Sequence, residues 1–198
     1  SDRGGVYDIW TIRPDGSRME QLTTHANSTN FPTWSPDGAR VAYSGVNAGG
    51  VFLIDGVVKA VKPASPEPPL AADVRFWPFS WSRDGRLLGT ALTAAGTIQG
   101  LATYDVVSKQ YGRVPLAVDG GWMLPVWLGD GRRLLVRTSA GISLVEAATG
   151  AAKPLVSVRG YSIGRSLSVA RDNTWFSYTE TATEGDIWVA VFKNTKVQ

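Results

Sequence analysis

One short unit recurs along this chain and limits what it can fold into more than any other feature. The unit reads FPTWSPDGARVAYS from position 31, and it recurs as FSWSRDGRLL from position 79 and PVWLGDGRRLLV from position 125. A weaker copy, LSVARDNTWFSY, starts at position 167. The turn aspartates of the four copies lie at positions 37, 84, 130 and 172, which are 47, 46 and 42 residues apart. A period of this size indicates an array of small, similar structural units.

Each copy has the composition of a β-hairpin. In the first copy Pro36 fixes φ, Asp37 can bond backbone amides ahead of it, and Gly38 supplies positive φ. Apolar and polar residues alternate in DIWTI from position 8 and in DIWVAVF from position 186, as they do in strands. No segment has a sustained helical period. The sequence therefore predicts an all-β fold of β-propeller blades, each with four antiparallel strands.

The chain holds about four to five blades' worth of residues, which we interpret as a single β-propeller domain over 1–198. The repeats lie near 8–50, 51–97, 98–141 and 142–185, with a closing strand at 186–192.

The first copy resembles the repeat of TolB-like, WD-repeat-like β-propellers. The residues that carry the resemblance are DIWTIRPDGS from position 8, QLT from position 21 and PTWSPDG from position 32. The second and third copies match at the Trp and Asp-Gly positions, and the fourth has Asn173 where Gly is expected. The resemblance implies a bacterial protein of the periplasm or the cell exterior. It implies no single function, because such blades occur in transport proteins, in peptidases and in sensor regions.

The strands predicted at the two ends of the chain bear on whether the ring of blades is closed. Three full blades are predicted to begin near Phe31, Phe79 and Pro125, with two outer strands before them and three strands after them. This arrangement favours a segment of a larger ring over a compact ring of four or five blades closed by the two termini. An open ring exposes strand edges, so self-association is expected of it.

Composition argues against several classes of partner and site. Lys and Arg number 20 against 17 Asp and Glu, the net charge is +3, and the basic residues are spread along the chain. No nucleic-acid partner is therefore predicted. No apolar stretch is long enough for a membrane helix, so no membrane insertion is predicted. With no cysteine and one histidine, the chain cannot form a Cys-ligated or two-His metal site.

Catalytic motifs are weak. The letters GYSIG around Ser162 match a nucleophile elbow, but the strand-to-helix context that the elbow needs is missing. Each turn aspartate supplies one carboxylate, whereas calcium takes six to eight oxygens, so we interpret these residues as turn chemistry. The sequence predicts no catalytic residue, no metal site and no cofactor. One alternative stays open: a metal-dependent propeller hydrolase in which Asp73, Asp119 and Glu184 converge on a divalent cation in the channel.

The connections between blades carry the strongest functional signal. They share one face around the channel, and loops on a rigid scaffold often carry function. Trp, Tyr and Arg, which are enriched at binding hot spots, are frequent there. We therefore predict a non-catalytic propeller that binds a protein or peptide through this loop face; a sensory or structural module of a larger receptor or peptidase is the other alternative. The predicted binding residues are His25, Asn27, Asn30, Arg75, Trp77, Asp119, Trp122, Arg159, Tyr161 and Arg165.

Overall fold

A computed structural model of the protein describes residues 1–24, 29–45, 51–55, 69–117, 123–158, 162–181 and 185–191. Within these ranges the regular structure consists of sixteen β-strands, and the structure has no helix there. None of the described residues belongs to a helix that could span a membrane. The prediction of an all-β fold is confirmed.

The strands form five antiparallel sheets in chain order. We call the last four sheets blades one to four. A small sheet precedes them, with strands β1 (Trp10–Thr11) and β2 (Glu20–Gln21). Blade one contains β3 (Thr29–Trp34), β4 (Arg40–Gly45) and β5 (Val51–Asp55). Blade two contains β6 (Val74–Trp81), β7 (Arg86–Thr93), β8 (Ile98–Asp105) and β9 (Gln110–Val114). Blade three contains β10 (Leu124–Trp127), β11 (Arg133–Thr138), β12 (Gly141–Glu146) and β13 (Ala152–Ser157). Blade four contains β14 (Ser162–Val169), β15 (Trp175–Thr181) and β16 (Gly185–Val191).

Blades two and three have the predicted four antiparallel strands. The sequence also predicts a fourth, more polar strand of blade one at 57–61, and these residues lie outside the described part of the chain. The first strands of successive blades contact one another, β3 with β6, β6 with β10 and β10 with β14. The first strand of each blade is therefore the innermost, and the four inner strands surround a common channel.

The core lies between blades. Each second strand sends alternate side chains to its two neighbours: Leu87 packs with Ala42 of blade one, and Leu88 packs with Trp127 of blade three. A further cluster, which includes Leu135 and Phe176, joins blades three and four. The small β1–β2 sheet packs on the opposite side of blade one. Apolar burial between blades is thus what holds the array together.

An arginine–tryptophan contact recurs at the blade junctions. The guanidinium carbon of Arg40 in blade one lies 5.5 Å from the ring centroid of Trp81 in blade two. Arg86 in blade two lies 4.9 Å from the ring centroid of Trp127 in blade three. Both indoles are buried, with 9% and 5% of their surface exposed. We call this contact the arginine–tryptophan junction; it adds cation–π attraction to apolar packing.

Trp34 differs from the other two inner-strand tryptophans. The sequence predicts one blade-packing role for all three, yet Trp34 is 49% exposed. Trp34 pairs with Val41 and so faces away from blade two. On that side the β1–β2 sheet covers Val41 and Tyr43. The prediction is therefore wrong for Trp34, because the packing of this residue depends on a neighbouring surface and not on its own strand.

The turn aspartates accept hydrogen bonds from backbone amides ahead of them, as the sequence predicts. An oxygen of Asp37 accepts a hydrogen bond from the Ala39 amide at 3.0 Å. An oxygen of Asp172 accepts one from the Thr174 amide, also at 3.0 Å. Asn173, which replaces the usual glycine, has φ of 59° and adopts the left-handed conformation all the same. Asparagine tolerates that conformation better than most residues, so the fourth turn keeps the geometry of the others.

The turn of blade three predicts a pH dependence of stability. Partial burial raises the pKa of Asp130, but hydrogen bonds from the amides of Arg132 and Arg133 and from the Arg133 guanidinium outweigh burial. The pKa therefore lies below its ordinary value of 3.8. A pKa lowered by folding gives stability that is present above the unfolded-state pKa and is lost as pH falls.

We expect Asp130→Asn to be less stable than the wild type at pH 7 by about 1 kcal/mol. The gap should narrow as the pH falls from neutral through the ordinary aspartate pKa of 3.8. Urea unfolding of both proteins at a series of pH values measures this difference in the free energy of unfolding. A gap that stays constant with pH would contradict the assignment.

Candidate functional site

Three of the four inner strands are interrupted by a bulge at the channel wall. The register of β3 against β4 shifts between Asn30 and Thr33. That of β6 against β7 shifts between Pro78 and Ser80. In β14 the shift falls between residues 163 and 167, whereas β10 pairs without a shift. A bulge adds unpaired residues to one strand and redirects their side chains, and it often does so beside a functional site.

The bulges of β3 and β6 bring three aromatic rings together. The ring of Phe31 lies 5.0 Å from that of Trp77 and 4.9 Å from that of Phe79, measured between centroids. All three side chains are half-buried. We call them the aromatic cluster. Centroid separations of 4.5–7 Å are typical of favourable aromatic pairs, so the three rings support one another.

Phe31 holds its place in the cluster at a conformational cost. Its φ is 56°, in the left-handed region that bulky residues rarely adopt. Such a backbone costs about 1–3 kcal/mol and persists only where its surroundings hold it in place. Strained residues concentrate at functional sites, which makes the β3 bulge a candidate for one.

The bulged residues line a cavity in the channel. Its volume is about 320 Å³, and its wall is built from Phe31, Pro32, Pro78, Phe79 and residues 166–168. A second cavity of about 580 Å³ lies at the Asp-Gly turns, where the ends of all four inner strands line it. Phe79, Leu167 and Ser168 line both cavities. The two cavities therefore adjoin along the inner strands, and together they form the channel.

The channel wall carries apolar side chains, hydroxyls and backbone. Among the described residues that line the two cavities, the charged ones are Arg83 and Arg171, at the Asp-Gly end. Arg83 donates a hydrogen bond of 3.0 Å to the carbonyl of Arg171 and so links blades two and four across the mouth. The described residues hold no group of three or more His, Cys, Asp or Glu that could bind a metal ion. A wall of this kind suits apolar and neutral polar groups.

Four of the ten predicted binding residues lie in the described part of the chain. Asn30, Arg75, Trp77 and Arg165 belong to the inner strands β3, β6 and β14, so their placement in inter-blade loops is wrong. The physical reason is that a bulge breaks the alternation of each inner strand and hides where the strand begins. Trp77 joins the aromatic cluster. Asn30 and Arg75 are half-buried and lie within two positions of a cluster residue in the sequence. The other six lie outside the described residues: His25, Asn27, Asp119, Trp122, Arg159 and Tyr161.

Sequence reasoning missed Phe31 and Phe79 as site residues. The usable signal was a proline beside each phenylalanine, Pro32 and Pro78, within a strand. Proline within a strand is confined mainly to edge strands and bulges, and β3 and β6 are edge strands of their sheets that each contain a bulge. Of the carboxylates considered for a metal, Asp73 is exposed just before β6, while Asp119 and Glu184 lie outside the described residues.

Comparison with solved structures fits this architecture. TolB from Acinetobacter baumannii superimposes with a TM-score of 0.73 at 19% sequence identity, over 93% of this chain. The fold is that of a TolB-like β-propeller. A TolB-type protein of Agrobacterium tumefaciens, itself described as putative, matches with a TM-score of 0.70 at 13% identity over 94% of this propeller. An oligogalacturonate lyase in complex with manganese matches with a TM-score of 0.68 at 12% identity over 96%.

At these identities the likeness shows the fold alone. This propeller spans 45% of the Acinetobacter chain, 77% of the Agrobacterium chain and 57% of the lyase. No family model matches the sequence, and no curated protein matches it. Because neighbours of different kinds share the fold, function has to be argued from the channel.

Proposed function

We propose that this propeller binds a protein or peptide segment at the loop-side mouth of its channel and catalyses no reaction on it. The observation that carries the proposal is the aromatic cluster. Two bulged strands present Phe31 and Phe79, both half-buried, at one channel wall, and the half-buried Trp77 packs on Phe31. Partly exposed aromatic rings on a rigid scaffold are the usual anchors of protein recognition.

The cavity beside the cluster fits a side chain and its backbone. At about 320 Å³ it lies at the lower end of the range for ligand pockets. An apolar side chain of a bound segment would pack on Phe79, and the hydroxyls of Ser166 and Ser168 would pair with backbone groups of the segment. The remaining predicted residues of the loop face would supply the rim of the interface. The resemblance to TolB supports a bacterial protein in the periplasm or at the cell exterior.

We expect Phe79→Ala to weaken peptide binding about tenfold or more, which is typical of a lost aromatic anchor. The probes are peptides selected on the wild-type protein from a phage-displayed random library, and their Kd values are measured by fluorescence anisotropy. Trp175→Ala is the matched control, because Trp175 is an exposed aromatic residue that lines neither cavity. Phe79 suits this test better than Phe31, whose replacement would also alter a strained backbone.

Two results would count against the proposal. One is a set of peptides whose Kd is the same for Phe79→Ala and the wild type. The other is loss of binding on Arg132→Ala, which changes an exposed residue of the Asp-Gly turns at the opposite end of the channel.

One comparison favours a second candidate function, a metal-dependent enzyme of the channel. The lyase among the similar structures is a complex with manganese. Calorimetric titration with Mn²⁺ of the wild type and of Asp73→Asn tests this candidate. Stoichiometric binding that the variant loses would favour it over peptide binding.

A further inference from the structure

The Asp-Gly end of the channel differs in charge from the rest of the described channel wall, which suits neutral groups. The larger cavity, of about 580 Å³, lies at this end, and Arg83 of blade two and Arg171 of blade four both line it. Both arginines are exposed, and no described carboxylate lines the cavity. The volume falls within the range of about 300–1,000 Å³ that is usual for ligand sites.

The guanidinium of Arg83 is held in place at this mouth. It donates a hydrogen bond of 3.0 Å to the backbone carbonyl of Arg171, which joins the turn of blade two to the turn of blade four. A guanidinium carries more N–H donors than this one bond uses. The side chain of Arg171 takes no part in the bond, because only its carbonyl accepts. Two cationic groups therefore present donors at one mouth.

The carboxylates of the neighbouring turns do not neutralise these two arginines. Each arginine is followed in the sequence by an aspartate, but the aspartate binds within its own turn. Asp84 accepts a hydrogen bond of 2.9 Å from the Arg86 guanidinium. Asp172 accepts hydrogen bonds from the amide and the hydroxyl of Thr174, at 3.0 and 2.7 Å. In the described part of the chain neither cavity-lining arginine forms an ion pair, so the mouth keeps its positive charge.

Further hydrogen-bond donors lie in the wall of the same cavity. The buried hydroxyl of Ser80 accepts a hydrogen bond of 3.0 Å from the Trp127 amide, which leaves its own hydrogen to donate. The side chains of Trp81 and Trp127 also line the cavity, and their buried indole N–H groups have no acceptor among the described residues. Buried polar groups without a partner are rare and call for a bound water or ion.

We propose that the cavity at the Asp-Gly end binds a small organic anion, in which a carboxylate or phosphate group is joined to an apolar body. The oxygens of the anionic group would accept hydrogen bonds from Arg83 and Arg171, and such charge-assisted bonds are stronger than neutral ones. The apolar body would pack on Val126 and Leu128 in the wall of the cavity. The site lies at the opposite end from the loop-side mouth, so it does not depend on peptide binding there.

Titration of the wild type with phenyl phosphate, benzoate and benzyl alcohol, followed by saturation-transfer NMR, tests the proposal. The three probes share one ring, and only the first two carry negative charge. We expect the tighter-binding anion to have a Kd at least about tenfold lower than that of benzyl alcohol. The order of the two anions tells whether the site favours phosphate or carboxylate, and either order supports the proposal.

Arg83→Gln and Arg171→Gln should each raise the Kd of the tighter-binding anion about tenfold, since each removes a charged donor. Arg171→Gln keeps the backbone carbonyl that holds Arg83, so it tests the second charge alone. Arg132→Gln is the matched control and should bind like the wild type. It removes the same charge from an exposed position of the Asp-Gly turns that lines neither cavity. Thermal unfolding checks that all three variants are folded.

Four results would overturn the proposal. The first is that neither anion binds, and the second is that benzyl alcohol binds as tightly as both anions. The third is a Kd in Arg83→Gln or in Arg171→Gln that equals the wild-type value. The fourth is an equal loss of affinity in Arg132→Gln, because binding would then reflect the net charge of the surface and not the cavity.

Discussion

Trp127→Ala is expected to lower the free energy of unfolding by about 3–5 kcal/mol, the range for large aromatic side chains removed from a core. Trp127 is 5% exposed and packs with Leu88 and Leu134 between blades two and three. Arg86 covers its ring at 4.9 Å. The truncation removes apolar burial and leaves a cavity at a junction that two blades share.

Trp34→Ala is the matched control, because it makes the same change at the same register position. Trp34 is 49% exposed, so we expect a loss below about 1 kcal/mol. Urea unfolding at low protein concentration, where self-association is minimal, measures both variants. Equal losses would mean that Trp34 is packed like Trp127 and would contradict the difference in their burial.

Gly89→Ala is expected to cost about 3 kcal/mol, at the upper end for overpacking, and to disturb the aromatic cluster. Gly89 pairs with Pro78 at the edge of the β6 bulge. A Cβ there would lie 2.1 Å from the carbonyl oxygen of Trp77 and 2.8 Å from the Phe76 ring. Since backbone and a buried ring cannot both yield, the bulge that presents Phe79 would have to shift.

This variant links stability to function. We expect Gly89→Ala to lose affinity for the library-selected peptides under conditions in which it is still folded. Gly4→Ala is the control, because a Cβ at Gly4 would have its nearest neighbours at 3.9 Å. Unfolding curves and anisotropy titrations measure both effects. If Gly89→Ala is as stable as the wild type, the close approach of Gly89 to the carbonyl oxygen of Trp77 is contradicted, and with it the position of the β6 bulge.

The parts of the fold that depend on neighbours in sequence could be predicted. The turn at Asp37 is specified by proline, aspartate and glycine within a few residues, and the hairpin on either side follows from it. Trp81 and Trp127 repeat in register, which identifies them as packing residues. For Trp34 the same register was not enough, because burial depends on a partner surface distant in sequence.

The channel site was harder to predict for a related reason. Alternation identifies a strand only where the strand is regular, and Phe31 and Phe79 sit where the register slips. Trp77 was found because tryptophan is a frequent anchor residue, but it was placed in a loop. Pro32 and Pro78 are compatible with a bulge and equally with the edge strands in which they lie, so they indicate an irregular strand without locating the slip. The three rings meet because two strands from different blades lie side by side. No single segment of the sequence contains that information.

Site-specific cross-linking tests the central claim, peptide binding at the bulged wall of the channel, most directly. The chain has no cysteine, so one cysteine can be placed at will and labelled with a photoreactive benzophenone. Ser166→Cys puts the label at an exposed position on the wall of the cavity beside the aromatic cluster, and Arg132→Cys puts it at an exposed Asp-Gly turn. We predict that a library-selected peptide cross-links at position 166 and not at position 132. Cross-linking at position 132 alone would contradict the account and place the binding surface at the opposite end of the channel.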